Sequence, residues 1–183
     1  MSAVFHIRKA ESADIPALRD LIEQSIRVLQ QGDYTPRQME GAIGHALGLD
    51  TQLIDDGTYF VAEAAGEIVG CGGWSMRKTL FGSNHGPERS LELLDPSTDA
   101  ARIRAIFVHP QWARRGLGSL LLAHCEAAAQ AAGFRRFQMG ATLTGVPLYT
   151  LKGYTATERI EVPLPNGEVL PVISMCREIR VSD

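Results

Sequence analysis

Residues 106–119 read Ile106-Phe107-Val108-His109-Pro110-Gln111-Trp112-Ala113-Arg114-Arg115-Gly116-Leu117-Gly118-Ser119. Apolar, strand-forming residues run into His109-Pro110, and a loop from Gln111 to Arg115 follows. Gly116-Leu117-Gly118 then opens a helix read from Ser119 to Ala132, rich in Ala and Leu and stopped by Gly133. In such a strand–loop–helix unit the first helical N–H groups have no partner within the helix, and the dipole end is positive. Glycines let the backbone close around an anion, and Arg114 and Arg115 add charge. The unit is built as a phosphate or pyrophosphate cradle. Two common phosphate folds do not fit it. A P-loop places Lys after its second Gly, and none stands here; a dinucleotide fingerprint wants a third Gly where Leu121 stands. The alternative is a plain strand-to-helix turn with two solvated arginines.

Working outward, Val4 to Arg8 alternate as a short strand. Ser12 or Asp14 can cap the next helix, and Ile15, Leu18, Ile22, Ile26 and Leu29 recur at helical spacing to about Gln30. Thr35 and Pro36 start a second helix with Met39, Ile43 and Leu47 as its apolar stripe. Tyr59 to Ala64 and Ile68 to Ser75 form a hairpin around Ala65-Gly66-Glu67, and Gly70-Cys71-Gly72-Gly73 suggests a bulge or a close backbone approach. Residues 77–99 are polar and turn-rich, a length that points to a functional loop or a solvated insertion. Ala101 to Val108 is the strand entering the cradle. Phe137 to Ala141 is a further strand, and Pro147 to Leu151 a short helix ended by Gly153. Strands at Thr155 to Val162 and Pro171 to Arg177 flank a Pro-Asn-Gly turn. This order predicts an α/β fold: a central mixed sheet of six to seven strands with helices on both faces.

The composition agrees. The chain has 183 residues, of which 45% are apolar, enough for the core of a single domain spanning residues 1–183. A net charge of −3 disfavours nucleic acid and anionic membranes as partners. No apolar run reaches membrane-spanning length, and the N-terminus lacks a secretory pattern. Three widely spaced cysteines suggest neither a disulfide framework nor a metal site, so a reducing cytoplasm is the expected compartment.

The 106–119 stretch resembles the acetyl-CoA signature of the Gcn5-related N-acetyltransferases (GNAT), [Q/R]-x-x-G-x-[G/A]. Arg114 to Gly118 fit its last five positions, and Ala113 departs from the first. Val108-His109-Pro110 is similar to the family's V-x-P lead-in. Gly145 to Tyr154 (GVPLYTLKGY) is similar to its A-x-x-[L/F]-Y-x-x-x-G-[F/Y] segment, and Ile7 to Leu21 resembles its opening strand and helix. The resemblance covers about the whole chain. It implies acetyl transfer from acetyl-CoA, as co-substrate, to an amine by direct attack. It further implies that Ile106, Phe107 and Val108 bond the pantetheine arm through their backbone. Arg114, Arg115, Gly116, Leu117, Gly118 and Ser119 would hold the pyrophosphate, with Thr142, Tyr149 and Lys152 also touching the cofactor. Tyr149 would give a proton or hydrogen bond to the leaving thiolate; otherwise it is a core aromatic beside Leu148. A homodimer is possible, as among relatives.

The base is less legible. Some relatives carry a Glu fourteen residues ahead of the first motif Gly, where this chain has Arg102, and an arginine cannot act as a base. Strand alternation predicts Arg102, Arg104, Ile106 and Val108 on one face. If that face lines the acceptor cleft, Arg102 and Arg104 suit a carboxylate or phosphate on the substrate; otherwise they pair with carboxylates such as Glu63. Trp74 is a candidate cleft wall or a core residue, as is Trp112. His109 reads as a solvated strand end rather than a group titrating near neutrality, Cys71 as a small core residue rather than a nucleophile for an acetyl intermediate, and His124-Cys125 as one surface and one core residue rather than a dyad. The expected acceptor is a small-molecule primary amine. A catalytically silent acyl-CoA-binding module is the rival, and transfer of a longer acyl group or to a hydroxyl is a third reading.

Overall fold

A computed structural model of the chain describes residues 4–87 and 89–180. Seven strands form one sheet: β1 (His6–Lys9), β2 (Tyr59–Ala64), β3 (Glu67–Ser75), β4 (Ala101–Val108), β5 (Arg136–Thr142), β6 (Thr155–Pro163) and β7 (Val169–Glu178). Their order is β1-β2-β3-β4-β5-β7-β6. All neighbours are antiparallel except β4 and β5, which are parallel and joined through α4 (Leu117–Ala131). The other helices are α1 (Ile15–Leu29), α2 (Pro36–Ala42), α3 (Gln52–Asp55) and α5 (Val146–Leu151). The mixed sheet with helices on both faces is the expected architecture.

Local chemistry sets the helix ends. Thr35 Oγ1 accepts from the Gln38 N–H at 3.1 Å, Gln38 Oε1 accepts from the Thr35 N–H at 2.9 Å, and Pro36 holds the first turn of α2. Gly133, at φ +98°, follows the end of α4. Leu18, Leu21, Ile22 and Ile26 of α1 pack with Val61, Cys71 and Phe107 on one face of the sheet. Leu122 and Cys125 of α4 pack on the other with Ile103 and Phe137, and Leu121 with Ala62 and Val69. Each such leucine taken from water contributes about 1.5–3 kcal/mol.

Three expectations need correction. The helix that starts at Pro36 ends at Ala42: Ile43 leaves it in an extended conformation, and Leu47 turns back to bridge Ile43. The short helix α3 had no periodic signal. The third concerns β4. Ala105 has φ +51°, and between the pairs Gly73↔Arg104 and Cys71↔Phe107 the strand β4 supplies one residue more than β3. This bulge reverses the alternation. Ile106 and Val108 therefore pack towards α4, whereas Phe107 joins the α1 face. Arg102 and Arg104 do not share a face with Ile106 and Val108. The Tyr59 hydroxyl donates to the Ala105 carbonyl at 2.8 Å and braces the bulge. The glycine run of β3 makes the close approach: a Cβ on Gly73 would stand 2.6 Å from the Thr58 carbonyl oxygen.

Candidate active site

The loop between β4 and α4 has a backbone geometry suited to an anion. Arg114 and Gly116 both adopt left-handed conformations, at φ +59° and +82°. The first bond of α4 runs from the Leu120 N–H to the Gly116 carbonyl at 3.0 Å. Among the described residues the N–H groups from Arg114 through Ser119 donate to no protein acceptor. They sit at the positive end of a 15-residue helix. The two glycines have different reasons. A Cβ on Gly116 would meet open space, so the residue is required for its φ; a Cβ on Gly118 would stand 3.3 Å from Leu148 Cδ2, so it is required for the approach of α5. The Arg115 guanidinium lies 5.0 Å from the centre of the Trp112 ring, which packs edge-on against Phe5. Trp112 thus seats a cation at the cradle's rim. His109 accepts from the Gln111 N–H at 3.2 Å and caps the turn from Pro110 to Trp112.

β4 and β5 pair only at Ala101↔Phe137 and Arg102↔Gln138. Beyond that point they part, leaving the β5-facing edge of Ile106 to Val108 without a ladder partner. A cavity of about 70 Å³ occupies the gap. Ile106, Phe107, Thr142 and Tyr149 line it, together with Arg104 and with Gln30 from the end of α1. The Tyr149 hydroxyl has no hydrogen-bond partner among the described residues, and burial pushes its pKa well above the usual tyrosine value. It is therefore a neutral phenol with a free O–H, on a residue that lines the cavity. Thr142 Oγ1 accepts from the Gly145 N–H at 3.2 Å and fixes the turn into α5. Gly145 leaves room for the ring, since a Cβ there would lie 2.7 Å from Tyr149 Cε2.

Residues 23–152 match the family model described as Acetyltransferase (GNAT) family. The chain belongs to this family. A GCN5-related N-acetyltransferase structure from Rhodopseudomonas palustris superposes with a TM-score of 0.72 at 21% identity, covering 98% of each chain. The PaiA N-acetyltransferase of Thermoplasma acidophilum, in complex with coenzyme A, gives 0.64 at 12% identity over 96% of this chain and 99% of that one. A GNAT family acetyltransferase from Brucella melitensis, in complex with acetyl-CoA, gives 0.59 at 16% identity over 99% and 92%. No curated protein sequence matches the chain. No helix among the described residues is long and apolar enough to cross a membrane.

Within this GNAT fold the remaining candidates take definite places. Arg104 is buried, and its Nη2 donates to Asp50 Oδ2 at 3.1 Å and to the Gly82 carbonyl at 2.8 Å. Arg102 donates to the Lys78 and Ala100 carbonyls, each at 3.3 Å, and to Gln138 Oε1; it lies outside the cavity wall. Neither arginine touches Glu63, which accepts from Arg8 Nε at 2.8 Å at the far edge of the sheet. Trp74 is also outside the cavity: it is buried against Phe134, ring centres 5.9 Å apart, in the core under α4. Cys71 is wholly buried and its thiol is pushed up to about 12, which removes it as a nucleophile. His124 is exposed with its ring edge-on to Phe60, and Cys125 is buried. Lys152 is exposed at the end of α5. The 77–99 segment is fastened as one wall of the cleft: Leu80, Phe81 and Gly82 line the cavity. Arg77 donates twice to Asp56 at 2.8 Å, Ser83 Oγ to the Gly44 carbonyl at 2.7 Å, and Asn84 Oδ1 accepts from the Thr51 N–H at 2.8 Å.

Sequence reasoning missed Gln30 and Asp50. Gln30 reads as the tail of an amphipathic helix, and Asp50 as a polar residue in a turn; neither carries a local pattern. Both matter only because distant segments close on them.

Proposed function

We propose that the chain is an acetyl-CoA-dependent N-acetyltransferase that moves the acetyl group to a primary amine of a small molecule by direct attack. The observation that carries this reading is the joint placement of the N–H cradle at the start of α4 and the unpartnered Tyr149 hydroxyl in the gap between β4 and β5. The cradle N–H groups from Arg114 to Ser119, with the Arg114 and Arg115 cations near them, suit the co-substrate's pyrophosphate. The free edge of Ile106 to Val108 suits the amide groups of a pantetheine arm, as an added strand would. Thr142, which lines the cavity, and Lys152, exposed at the end of α5, would also touch the co-substrate. The thioester carbonyl then reaches the cavity, where the amine attacks it and the thiolate leaves. A thiol has an ordinary pKa of about 8.5, so a hydrogen bond or proton from the neutral Tyr149 phenol is sufficient help.

The attacking amine must be neutral, and a free alkylamine is mostly protonated at neutral pH, with a pKa of about 10.4. Among the described residues no carboxylate or imidazole lines the cavity, so its proton leaves through water. That same observation favours a second reading, a catalytically silent acyl-CoA-binding module. One experiment separates them: calorimetric titration with acetyl-CoA and CoA, followed by thiol release over a panel of amines. Binding with amine-dependent thiol release is the expected result. Binding without release on any amine supports the silent module, and no binding overturns both.

A further inference from the structure

The cavity between β4 and β5 has a polar end that the fold itself leaves unsatisfied. Gln30 is 5% exposed, lines the cavity, and its carboxamide oxygen is buried with no hydrogen-bond partner among the described residues. Buried polar atoms of this kind are rare and ask for a ligand or a water. Arg104, 3% exposed, lines the same space. Its bonds go to the Thr79 carbonyl at 3.4 Å, the Gly82 carbonyl at 2.8 Å and Asp50 Oδ2 at 3.1 Å. A guanidinium has five N–H donors, so some remain free among the described residues. Asp50 is shared, since Arg89 Nη1 donates to its other oxygen at 2.9 Å. One carboxylate thus faces two guanidinium groups, and the cluster carries surplus positive charge beside the apolar side chains of Leu47, Phe81, Phe107 and Met139.

We propose that this end is the acceptor subsite and that it takes a compact aminocarboxylate, with its carboxylate on the free donors of Arg104 and its amine donating to Gln30 Oε1. The inference rests on the N-acetyltransferase reading above and names its substrate class. A planar guanidinium matches a carboxylate, which also balances the surplus charge. The cavity's 70 Å³ has room for about five water-sized groups, the scale of the smallest amino acids. Gln30 and Tyr149 line the same cavity, so an amine bonded to Gln30 shares the space that the thioester would enter. There the nitrogen lone pair attacks the thioester carbon, a C–N bond forms, and the C–S pair leaves with sulfur. The nitrogen loses one proton and the thiolate gains one, giving the N-acetyl product and the CoA thiol.

The test is thiol release from acetyl-CoA with glycine, alanine and β-alanine, each beside its carboxamide, and with a short diamine. The expected kcat/KM for each acid exceeds that of its amide by at least about tenfold, since a missing partner leaves Arg104 donors unpaired. Gln30→Leu is expected to raise the acid's KM at least about fivefold while the acetyl-CoA Kd from calorimetry stays the same. Because Arg104→Gln alone strands Asp50, the paired variant Arg104→Gln/Asp50→Asn is used; its acid-to-amide ratio is expected to fall towards one. Acetyl transfer to amides or diamines at rates equal to the acids overturns this inference and leaves the N-acetyltransferase reading standing. Acetyl-CoA binding with no acid accepted overturns it as well. Absence of acetyl-CoA binding removes the reading it rests on, and the inference with it.

Discussion

The rings of Tyr149 and Tyr154 meet edge to face, 6.1 Å apart at 63°, but only one hydroxyl is engaged. Tyr154 donates to Glu126 Oε1 at 2.8 Å, and Glu126 in turn accepts from Arg177 Nη1 at 2.7 Å. The Tyr149 hydroxyl has no partner among the described residues, and the residue lines the cavity. Two neighbouring tyrosines therefore have opposite duties, one structural and one free for a substrate. Tyr149→Phe is expected to lower kcat by about one to two orders of magnitude, with the acetyl-CoA Kd changed less than about twofold. Tyr154→Phe is expected to cost about 1 kcal/mol of stability and little turnover. Steady-state kinetics with urea unfolding checks the pair; an unchanged rate in Tyr149→Phe removes it from the mechanism.

The cradle glycines make separable predictions. Gly116→Ala meets open space but inherits φ +82°, so it costs about 1–2 kcal/mol through backbone strain. Gly116→Asp adds a negative charge at the anion site, and its acetyl-CoA Kd is expected to rise more than about tenfold. Gly118→Leu pushes on Leu148 and so shifts the helix that carries Tyr149, lowering affinity and turnover together. Calorimetry on folded variants decides; unaltered affinity in Gly116→Asp contradicts the cradle.

Asp50 is a buried carboxylate, 3% exposed, that holds Arg104 of the cavity lining. Asp50→Ala leaves the buried Arg104 guanidinium without its counter-charge, an expected loss of about 3–5 kcal/mol. Asp50→Ala/Arg104→Met removes both charges and is expected to recover most of it. Urea denaturation of the two variants against wild type is the measurement, and equal losses in both would show that the ion pair is not the cause.

Acid stability follows from two other pairs. The Arg77 guanidinium holds the Asp56 carboxyl below its ordinary value of 3.8, and Arg8 does the same to Asp14. A depressed native pKa contributes stability that is fully present above the unfolded value and lost as pH falls through the folded one. Unfolding free energy is therefore expected to decline below about pH 4 through these sites. In Asp56→Asn and Asp14→Asn the decline is shallower, as urea midpoints between neutral and acid pH will show.

Most of the element boundaries were readable because their causes are local. Thr35-Pro36 and Gly133 punctuate helices by their own chemistry, and Ala65-Gly66, at φ +52° and +81°, closes the hairpin as a local turn. The cradle was legible for the same reason: its glycines, arginines and helix start are contiguous. The alternation along β4 misled because the bulge sits on Ala105, a residue type that gives no warning of a positive φ, and is braced by Tyr59 from another strand. That single inserted residue separates Arg104 from Ile106 in space. Trp74 was open in sequence because a tryptophan beside glycines suits a core and a cleft wall alike; only Phe134, across the fold, settles which. Gln30 and Asp50 gain meaning from Arg104 and the 77–99 segment, contacts that span too much chain for any window to hold.

The wall formed by residues 77–99 is fastened at Arg77, Ser83 and Asn84 to the segment from Gly44 to Asp56, and at the Lys78, Thr79 and Gly82 carbonyls to Arg102 and Arg104 of β4. None of these tether points falls on the cradle loop or on Tyr149. In evolutionary terms the wall is an exchangeable cassette. Residues between the tethers can drift, lengthen or be grafted from a relative, and each change reshapes the cavity while the loop that opens α4 is left as it is.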